Sequence, residues 1–304
     1  MTGRQTTSEL TTAQVTEVLA LVEAARVADG VAPLSEHVML HLRYDSAARP
    51  GAGRDLVRTV GGEIAGYAYL DPPPAHGEVT GELVIHPASR RQGLGRALTG
   101  ELADAAGGHV LRVWAHGDLP AAAALARAAG FERFRALWQM RRSLREPLDR
   151  PVLPPGRTLR TFVRGQDEDE WLSLNGRAFA KHPEQGGWTR HDLGLREREP
   201  WFDPAGFFVA EADGHMAGFH WTKMQDPGLG EVYVVGVDPA EQGSGLGRAL
   251  TLAGLHHLRD RGVAQAMLYV DEDNVPAIRM YQALAFTRAR IDAMYRRPPK
   301  PPVG

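Results

Sequence analysis

A stretch in the second half of the chain alternates in polarity and then changes to a helical spacing. Residues 231–237 read Glu-Val-Tyr-Val-Val-Gly-Val, which is rich in the β-branched and aromatic side chains of a buried strand. Pro239 ends this strand, because proline cannot donate to a ladder. From Leu246 the apolar residues recur at helical spacing as far as Leu258, and Gly262 is suited to end the helix. The pattern predicts a strand, a glycine-rich turn and a helix, in that order.

The same pattern occurs a second time, 152 residues earlier, so that Gly62 corresponds to Gly214. Arg-Ala-Leu-Thr at residues 96–99 likewise corresponds to the same four letters at residues 248–251. A repeat of this length predicts two copies of one domain, because solenoid units span only about 20–50 residues.

A proline-rich segment at residues 149–157 separates the two copies and predicts a semi-rigid linker. We therefore expect an N-terminal domain at residues 1–148 and a C-terminal domain at residues 158–304. Each copy reads as helices followed by about six or seven strands with further helices between them. The predicted fold class is α/β (α+β), with a mixed, mostly antiparallel sheet flanked by helices in each domain.

The turn between the key strand and its helix has the character of an anion site. Backbone N–H groups in a glycine-rich turn point outward at the positive end of the helix dipole, where a diphosphate is the usual ligand. The turn is no P-loop, because no Gly-Lys-Ser/Thr follows it. Nor does it fit a dinucleotide fingerprint, since Gly243, Gly245 and Gly247 are spaced two by two.

The spacing Gln242-x-x-Gly245-x-Gly247 resembles the pyrophosphate loop of the GNAT N-acetyltransferase superfamily, which binds acetyl-CoA. An ordinary glycine-rich turn is an equal interpretation of six residues alone. The first copy has Arg90-Arg-Gln-Gly-Leu-Gly95 in the corresponding place, and this recurrence favours the binding loop.

The resemblance implies a catalytic pair in the second copy. Glu231, upstream on the strand that holds the acetyl group, would be the general base, although strand position alone favours a solvent-facing glutamate. Tyr281 follows Asn274 in the pattern Asn-x-x-Ala-x-x-x-Tyr and would be the general acid for the CoA thiolate. A tyrosine on an apolar helix stripe is more often a core residue. Ala285 stands where the family usually has glycine.

The first copy lacks both members of this pair. Val79 occupies the position that corresponds to Glu231, and Ala126 the position that corresponds to Tyr281. We therefore expect an N-terminal domain that keeps the diphosphate loop and can bind acetyl-CoA without turning it over.

A closer resemblance is to the mycothiol synthase family. Three segments carry it, namely Pro-Trp-Phe-Asp-Pro at 200–204, Gly-Phe-His-Trp-Thr-Lys at 218–223 and Gly-Glu-Val-Tyr at 230–233. The resemblance spans nearly the whole chain and implies transfer of acetyl to the cysteinyl amine of a cysteinyl-glucosaminyl-inositol. It implies acceptor contacts from Glu36, Glu184, Lys223, Glu231 and Tyr269. It implies that one acetyl-CoA lies against Leu83, Val84, Ile85, Arg91, Gln92, Gly93, Leu94, Gly95 and Arg96. It implies that a second lies against Val235, Gly236, Val237, Gln242, Gly243, Ser244, Gly245, Leu246, Gly247, Arg248, Asn274, Val275, Pro276, Ala277, Ile278 and Arg279.

Two of these acceptor contacts have ordinary alternatives. Glu36 is equally well read as a surface acid in the first turn of a helix. Lys223 can be an exposed strand lysine, but lysine occurs only at positions 181, 223 and 300, which favours a site.

The amino-acid composition indicates which kinds of partner and site are not expected. The formal net charge is −2, so a polyanion such as nucleic acid is not indicated as a partner. The absence of cysteine excludes a thiolate nucleophile and a Cys-ligated zinc ion, and we expect no metal. No apolar run approaches membrane-spanning length, and we expect a cytoplasmic monomer acting on a small-molecule amine. The alternatives are a GNAT enzyme for another amine or peptide and a non-catalytic acetyl-CoA-binding protein.

Overall fold

The structure is a computed structural model that describes residues 2–7, 10–45, 53–180, 182 and 185–299. Within these residues the chain forms two compact units. Unit one comprises the described residues of Met1–Leu137 and Arg290–Gly304, and unit two those of Trp138–Ala289.

Unit one is a twisted sheet with helices packed against it. The order of its strands is β1-β2-β3-β4-β5-β12. These strands are β1 (Thr2–Thr7), β2 (Arg54–Val60), β3 (Glu63–Leu70), β4 (Glu78–Ile85), β5 (Val110–Ala115) and the greater part of β12 (Thr287–Arg297). The helices are α1 (Thr12–Asp29), α2 (Glu36–Leu40), α3 (Leu94–Ala105) and α4 (Pro120–Ala128).

Unit two repeats this arrangement with the strand order β7-β8-β9-β10-β11-β6. These strands are β7 (Arg157–Thr161), β8 (Phe207–Ala212), β9 (His215–Asp226), β10 (Leu229–Val237), β11 (Gln265–Asp271) and the second half of β6 (Glu132–Ser143). The helices are α5 (Glu168–Ala178), α6 (Arg190–Arg196), α7 (Leu246–Asp260) and α8 (Val275–Ala283). The predicted fold class is confirmed, because antiparallel pairs predominate in both units and helices cover the sheets.

The boundaries of the two compact units do not lie at the predicted linker. The end of β12 pairs with β5 inside unit one, from Ala293 opposite Ala115 to Arg297 opposite Leu111. Conversely, Met140 and Leu144 are buried in a core cluster of unit two. Each copy is therefore completed by a strand from the other copy. The boundary of the repeat at residues 149–157 and the boundaries of the compact units are different features of the chain.

The backbone confirms the repeat. The β2–β3 turn at Gly61 and Gly62 has φ of +64° and +96°, and the β8–β9 turn at Asp213 and Gly214 has φ of +50° and +79°. The loop before the helix repeats in the same way. There Gly93 and Gly245 have φ of +84° and +90°.

One pair of parallel strands in each unit separates after a few residues. In unit two β10 pairs with β11 only from Leu229 to Glu231, while its pairing with β9 continues to Val237. In unit one β4 pairs with β5 only from Glu78 to Gly81. Beyond these points β10 and β4 lack a strand partner on that side among the described residues. This opening leads to the glycine-rich loop of each unit.

Candidate active site

The predicted diphosphate loop of unit two borders a cavity of about 300 Å³. The cavity is lined by Val237, Glu241, Gln242, Gly243, Gly245, Leu246, Gly247, Arg248 and Met280. Apart from Glu241 and Met280, every one of these residues is among the predicted acetyl-CoA contacts. Seven of the predicted acetyl-CoA contacts therefore line one cavity.

The conformation of the loop explains its glycines. Gly243 and Gly245 have φ of +80° and +90°, a region in which a Cβ atom is strained. Gly245 is the N-cap of α7 and brings no side chain to cap the first turn of the helix. The first helical amide, that of Leu246, donates to Ser244 Oγ at 3.3 Å. The helix presents its positive end to the cavity.

The charges around this cavity are arranged in pairs. Glu241 would repel a diphosphate, but Arg157 holds both of its carboxylate oxygens at 2.7 and 2.8 Å from one guanidinium nitrogen. Arg248 lies 2.6 Å from Asp149 in an exposed ion pair. An anionic ligand would compete for Arg248 at little cost, because exposed pairs contribute only about 0–1 kcal/mol.

Gly236 has a structural role that the sequence did not reveal. A Cβ atom at this position would overlap the aromatic ring of Phe219 on the adjacent strand. The glycine is therefore required by the packing of β10 on β9. This contact alone explains its presence, independently of any approach by a ligand.

Glu231 lies at the last position where β10 pairs with β11 and is only 5% exposed. It is directly opposite Lys223 on β9, and its carboxylate accepts a hydrogen bond from the side chain of Gln225. A buried carboxylate at the point where β10 and β11 separate is unlike the solvent-facing strand glutamate of the alternative interpretation.

Lys223 is surrounded by aromatic rings. Its ammonium nitrogen lies 4.6 Å from the centroid of Trp201 and 5.1 Å from that of Tyr233. Arg196 of α6 donates a hydrogen bond to the Tyr233 hydroxyl at 2.7 Å and stacks on Trp188. The cation–π contacts hold Lys223 opposite Glu231, unlike a strand lysine that extends freely into solvent.

Tyr269 stands on the same face of the sheet. Glu231 is paired with Met267 on β11, and Tyr269 follows Met267 by two residues, so alternation puts all three side chains on one face. The ring is 41% exposed, and its hydroxyl accepts a hydrogen bond from Gln139 at 3.0 Å. Exposure and a fixed hydroxyl suit a residue that contacts a polar ligand.

Tyr281 projects from α8, which Asn274 caps by accepting from the Ala277 amide at 3.2 Å. Burial raises the pKa of Tyr281 to about 12, so its hydroxyl is protonated throughout the neutral range. The hydroxyl makes no hydrogen bond with any residue that the structure describes, and the ring packs edge-on against Phe286. The side chain of Asn274 thus serves as the cap of α8. The predicted contact of residues 274–279 with acetyl-CoA stays a prediction.

In unit one the loop is retained and the pair of candidate catalytic residues is absent. β10 contains one extra residue, Tyr233, which shifts the correspondence between the copies by one position. Thr80, paired with Arg112, therefore stands where unit two has Glu231 paired with Met267. Val79, the counterpart predicted from the sequence register, lies in the core instead. The Phe131 amide donates to the Ala126 carbonyl at 2.9 Å, as the Phe286 amide donates to Tyr281 at 3.0 Å, which makes Ala126 the structural counterpart of Tyr281. Arg91 adopts φ of +64° at the position of Gly243.

Two further acceptor contacts were predicted, Glu36 and Glu184. Glu36 is the first residue of α2 and belongs to unit one. Glu184 lies outside the described residues. Within the part of the chain that the structure describes, no group of three or more His, Asp or Glu side chains is arranged to hold a metal ion. None of the described helices has the length and apolar character that crossing a membrane requires.

Several residues beside the candidate site were not predicted. Gln225 contacts Glu231, Gln139 contacts Tyr269, and Arg196 contacts Tyr233. The partners of each pair lie on different elements, and polar residues of this kind carry no motif. Only the concentration of Trp and Tyr between residues 188 and 233 gave a sequence signal for this region.

Comparison with known proteins agrees with this arrangement. The model of the family described as "Acetyltransferase (GNAT) family" matches residues 21–131 and 170–286. The chain is 58% identical to a mycothiol acetyltransferase of Thermomonospora curvata, over 95% of this chain and 96% of that protein. It is also 58% identical to a mycothiol acetyltransferase of Thermobispora bispora, over 92% and 95% respectively.

A solved structure shares the whole fold. It is a tandem GNAT protein from the clavulanic acid biosynthesis pathway, with a TM-score of 0.76, 22% identity and coverage of 99% of both chains. At this identity the likeness concerns the fold alone.

Proposed function

Since the chain belongs to the acetyltransferase (GNAT) family and, within it, to the mycothiol acetyltransferases, we propose that it catalyses the last acetylation that yields mycothiol. It is an acetyl-CoA-dependent N-acetyltransferase. The proposed acceptor is the cysteinyl amine of 1D-myo-inositol 2-(L-cysteinylamino)-2-deoxy-glucopyranoside, and the products are mycothiol and CoA. The observation that best supports this assignment is the placement of a buried carboxylate, Glu231, where β10 separates from β11 beside the glycine-rich loop.

The residues around the loop fit acetyl-CoA. The start of α7, where the N-cap Gly245 carries no side chain, suits the diphosphate. The backbone of Val235, Gly236 and Val237, which lacks a β11 partner, suits the pantetheine arm and the thioester oxygen. Residues 274–279 at the start of α8 would line the remainder of the molecule. When bound, acetyl-CoA supplies an electrophilic thioester carbon at this point.

Glu231 acts as the general base, directly or through a water molecule. As the amine nitrogen forms its bond to the acetyl carbon, a proton leaves the nitrogen and is taken up by the carboxylate. An α-amino group has a pKa of about 8, so part of the substrate is already neutral at physiological pH and a carboxylate suffices. The ammonium of Lys223 on the opposing strand favours the ionised carboxylate.

Tyr281 acts as the general acid. The bond between carbon and sulfur breaks, and the departing thiolate takes the phenolic proton. The hydroxyl is suited to this role because it is protonated at neutral pH and makes no hydrogen bond with the described residues. Proton transfers of this kind contribute about 10²–10⁴-fold to rate.

The acceptor carries one ammonium group and many hydroxyl groups. Tyr269 and Lys223 lie on the face of Glu231 and offer hydrogen bonds to such a ligand. We also assign acceptor contacts to Glu36 and Glu184, because carboxylates suit hydroxyl groups and a cation. In unit one, Leu83–Ile85 and Arg91–Arg96 would hold a second acetyl-CoA. There Thr80 and Ala126 stand at the positions of Glu231 and Tyr281 and supply neither a base nor an acid.

The substrate is tested by measuring free CoA thiol released from acetyl-CoA with a panel of amines. The panel contains the cysteinyl-glucosaminyl-inositol, its des-cysteinyl amine, an aminoglycoside and a peptide with a free N-terminus. We expect turnover with the first compound and at least about 100-fold lower kcat/KM with the others, since specificity of this size needs only a few lost hydrogen bonds. Preferred turnover of the peptide or the aminoglycoside would overturn the assignment.

A further inference from the structure

Gln225 lies at an irregularity of β9 that places it next to Glu231. Met224 is paired with Gly230 and Asp226 with Leu229, so Gln225 is an extra residue with no partner of its own on β10. A bulge of this kind redirects a side chain and often occurs beside a functional site. Here the side chain reaches the carboxylate of Glu231.

The chemistry of this contact fixes its direction. An ionised carboxylate only accepts hydrogen bonds, so the amide nitrogen of Gln225 is the donor. The bond occupies Oε2 of Glu231. Because both oxygens belong to one planar carboxylate, this bond also helps to orient the group as a whole.

We infer that Gln225 is a positioning residue for acetyl transfer, which orients the carboxylate of Glu231 and favours its ionised form. The inference rests on the proposed role of Glu231 as the base. A donor to the charged form of an acid stabilises that form. The glutamine thus keeps a buried carboxylate able to accept a proton at neutral pH without adding a competing charge.

Other charged and titratable groups share this face and must be considered. They are Lys223 on β9, Tyr233 on β10, Tyr269 on β11 and Arg196 of α6, which reaches Tyr233. Lys223 supplies charge, but its ammonium is placed over the rings of Trp201 and Tyr233. Gln225 is the neutral donor for which the structure gives a hydrogen bond to the carboxylate.

The test compares Gln225→Leu, which removes the donor at similar volume, with Gln225→Glu, which adds a second carboxylate. The measured quantity is kcat/KM for the acceptor between pH 5 and 9. The acid side of the profile contains the substrate amine, which no variant alters, and the base. Below the pKa of the amine the profile has a slope of one, and below the pKa of the base it has a slope of two. We expect the pH of this second change in slope to rise by about one unit in Gln225→Leu and by more in Gln225→Glu.

Two further readouts separate positioning from a general loss of structure. We expect kcat/KM of Gln225→Leu to fall by up to about 10-fold at pH 5, where the carboxylate is largely protonated, with the difference shrinking towards pH 9, where the base is ionised in both proteins. The KM for acetyl-CoA should not change. Gln166→Glu, which adds the same charge at an exposed loop residue of unit two, serves as the matched control and should keep the wild-type profile.

The outcomes distinguish the inference from the function on which it rests. If Glu231→Gln keeps full turnover, the proposed base is wrong. If Glu231→Gln loses turnover while Gln225→Leu and Gln225→Glu both keep the wild-type pH profile, Gln225 does not position the base. A loss in Gln225→Leu that is equal at all pH values, with a raised KM for acetyl-CoA, would also overturn the inference.

Discussion

The backbone amide of Phe286 donates to the carbonyl of Tyr281 at 3.0 Å and closes the end of α8. The same bond in unit one runs from Phe131 to Ala126 at 2.9 Å. The two copies therefore end this helix in the same way and differ in the side chain at one position. In unit two that side chain is a phenol with a raised pKa, and in unit one it is a methyl group.

Tyr281→Phe tests whether this phenol transfers a proton. We expect kcat to fall about 10²–10³-fold, because a general acid contributes on that order, while the KM for acetyl-CoA stays the same. The free energy of unfolding should change by less than about 0.5 kcal/mol, since the hydroxyl makes no hydrogen bond with the described residues. Steady-state kinetics and urea titration measure the two effects.

Tyr295→Phe provides the matched control. Tyr295 is a buried tyrosine on β12 in unit one and should leave kcat unchanged. An unchanged kcat in Tyr281→Phe would mean that Tyr281 is a core residue only.

The sequence predicted those parts of the site that lie close together along the chain. Gly243 and Gly245 mark their loop because their left-handed backbone excludes other residues, and the repeat added an independent copy. The candidate base and acid followed from the layout of the family. In each case the information is contained in a segment of a few residues, which a single sequence displays.

The parts that the sequence did not predict depend on partners far along the chain. Gln139 comes from β6 and reaches Tyr269 on β11, and no local pattern specifies that pairing. Met140 packs in the core of unit two although it precedes the linker. The strand β1 was not predicted either, because residues 2–7 are polar and small and become a strand only by pairing with β2.

Ala285 offers a test of backbone strain. It follows α8 with φ of +62°, and its counterpart Gly130 follows α4 with φ of +77°. A residue with a Cβ atom costs about 1–2 kcal/mol in this region, while glycine loses about 0.4–1 kcal/mol of chain entropy on folding. We therefore expect Ala285→Gly to stabilise the protein by about 0.5–1 kcal/mol in urea unfolding, and Gly130→Ala to destabilise it. A lower stability of Ala285→Gly would contradict this account.

His116 gives unit one a dependence of stability on pH. Burial disfavours its charge, but the hydrogen bond to Asp292 and the ion pair with Glu82 outweigh burial and raise the pKa of His116 to about 10. The folded state then binds more protons than the unfolded state between pH 6.5 and about 10, so stability falls as pH rises through this range. The contribution is complete below pH 6.5 and absent above about pH 10.

We expect the urea midpoint of the wild type to fall between pH 7 and pH 10, and that of His116→Gln to start lower and change less. Exposed His215→Gln should follow the wild type. Equal slopes for the wild type and His116→Gln would show that the imidazolium does not stabilise the cluster.

The glycine loops allow the two proposed acetyl-CoA sites to be separated. Gly93 and Gly245 occupy the same position in the two copies, each as the N-cap of a helix with φ near +90°. An aspartate at either position places a carboxylate against the diphosphate and strains the backbone, so it should abolish binding at that site alone. Calorimetric titration with CoA should give about two sites per chain in the wild type and about one in each variant.

Turnover should distinguish the two variants. Gly245→Asp should reduce kcat/KM by at least about 100-fold, because a repelled diphosphate no longer places the thioester at Glu231. Gly93→Asp should retain kcat, since unit one has Thr80 and Ala126 at the positions of the base and the acid. If Gly93→Asp lost turnover as fully as Gly245→Asp while remaining folded, unit one would take part in catalysis. If the wild type bound only one CoA, the loop in unit one would share the backbone conformation of the loop in unit two but would not bind CoA.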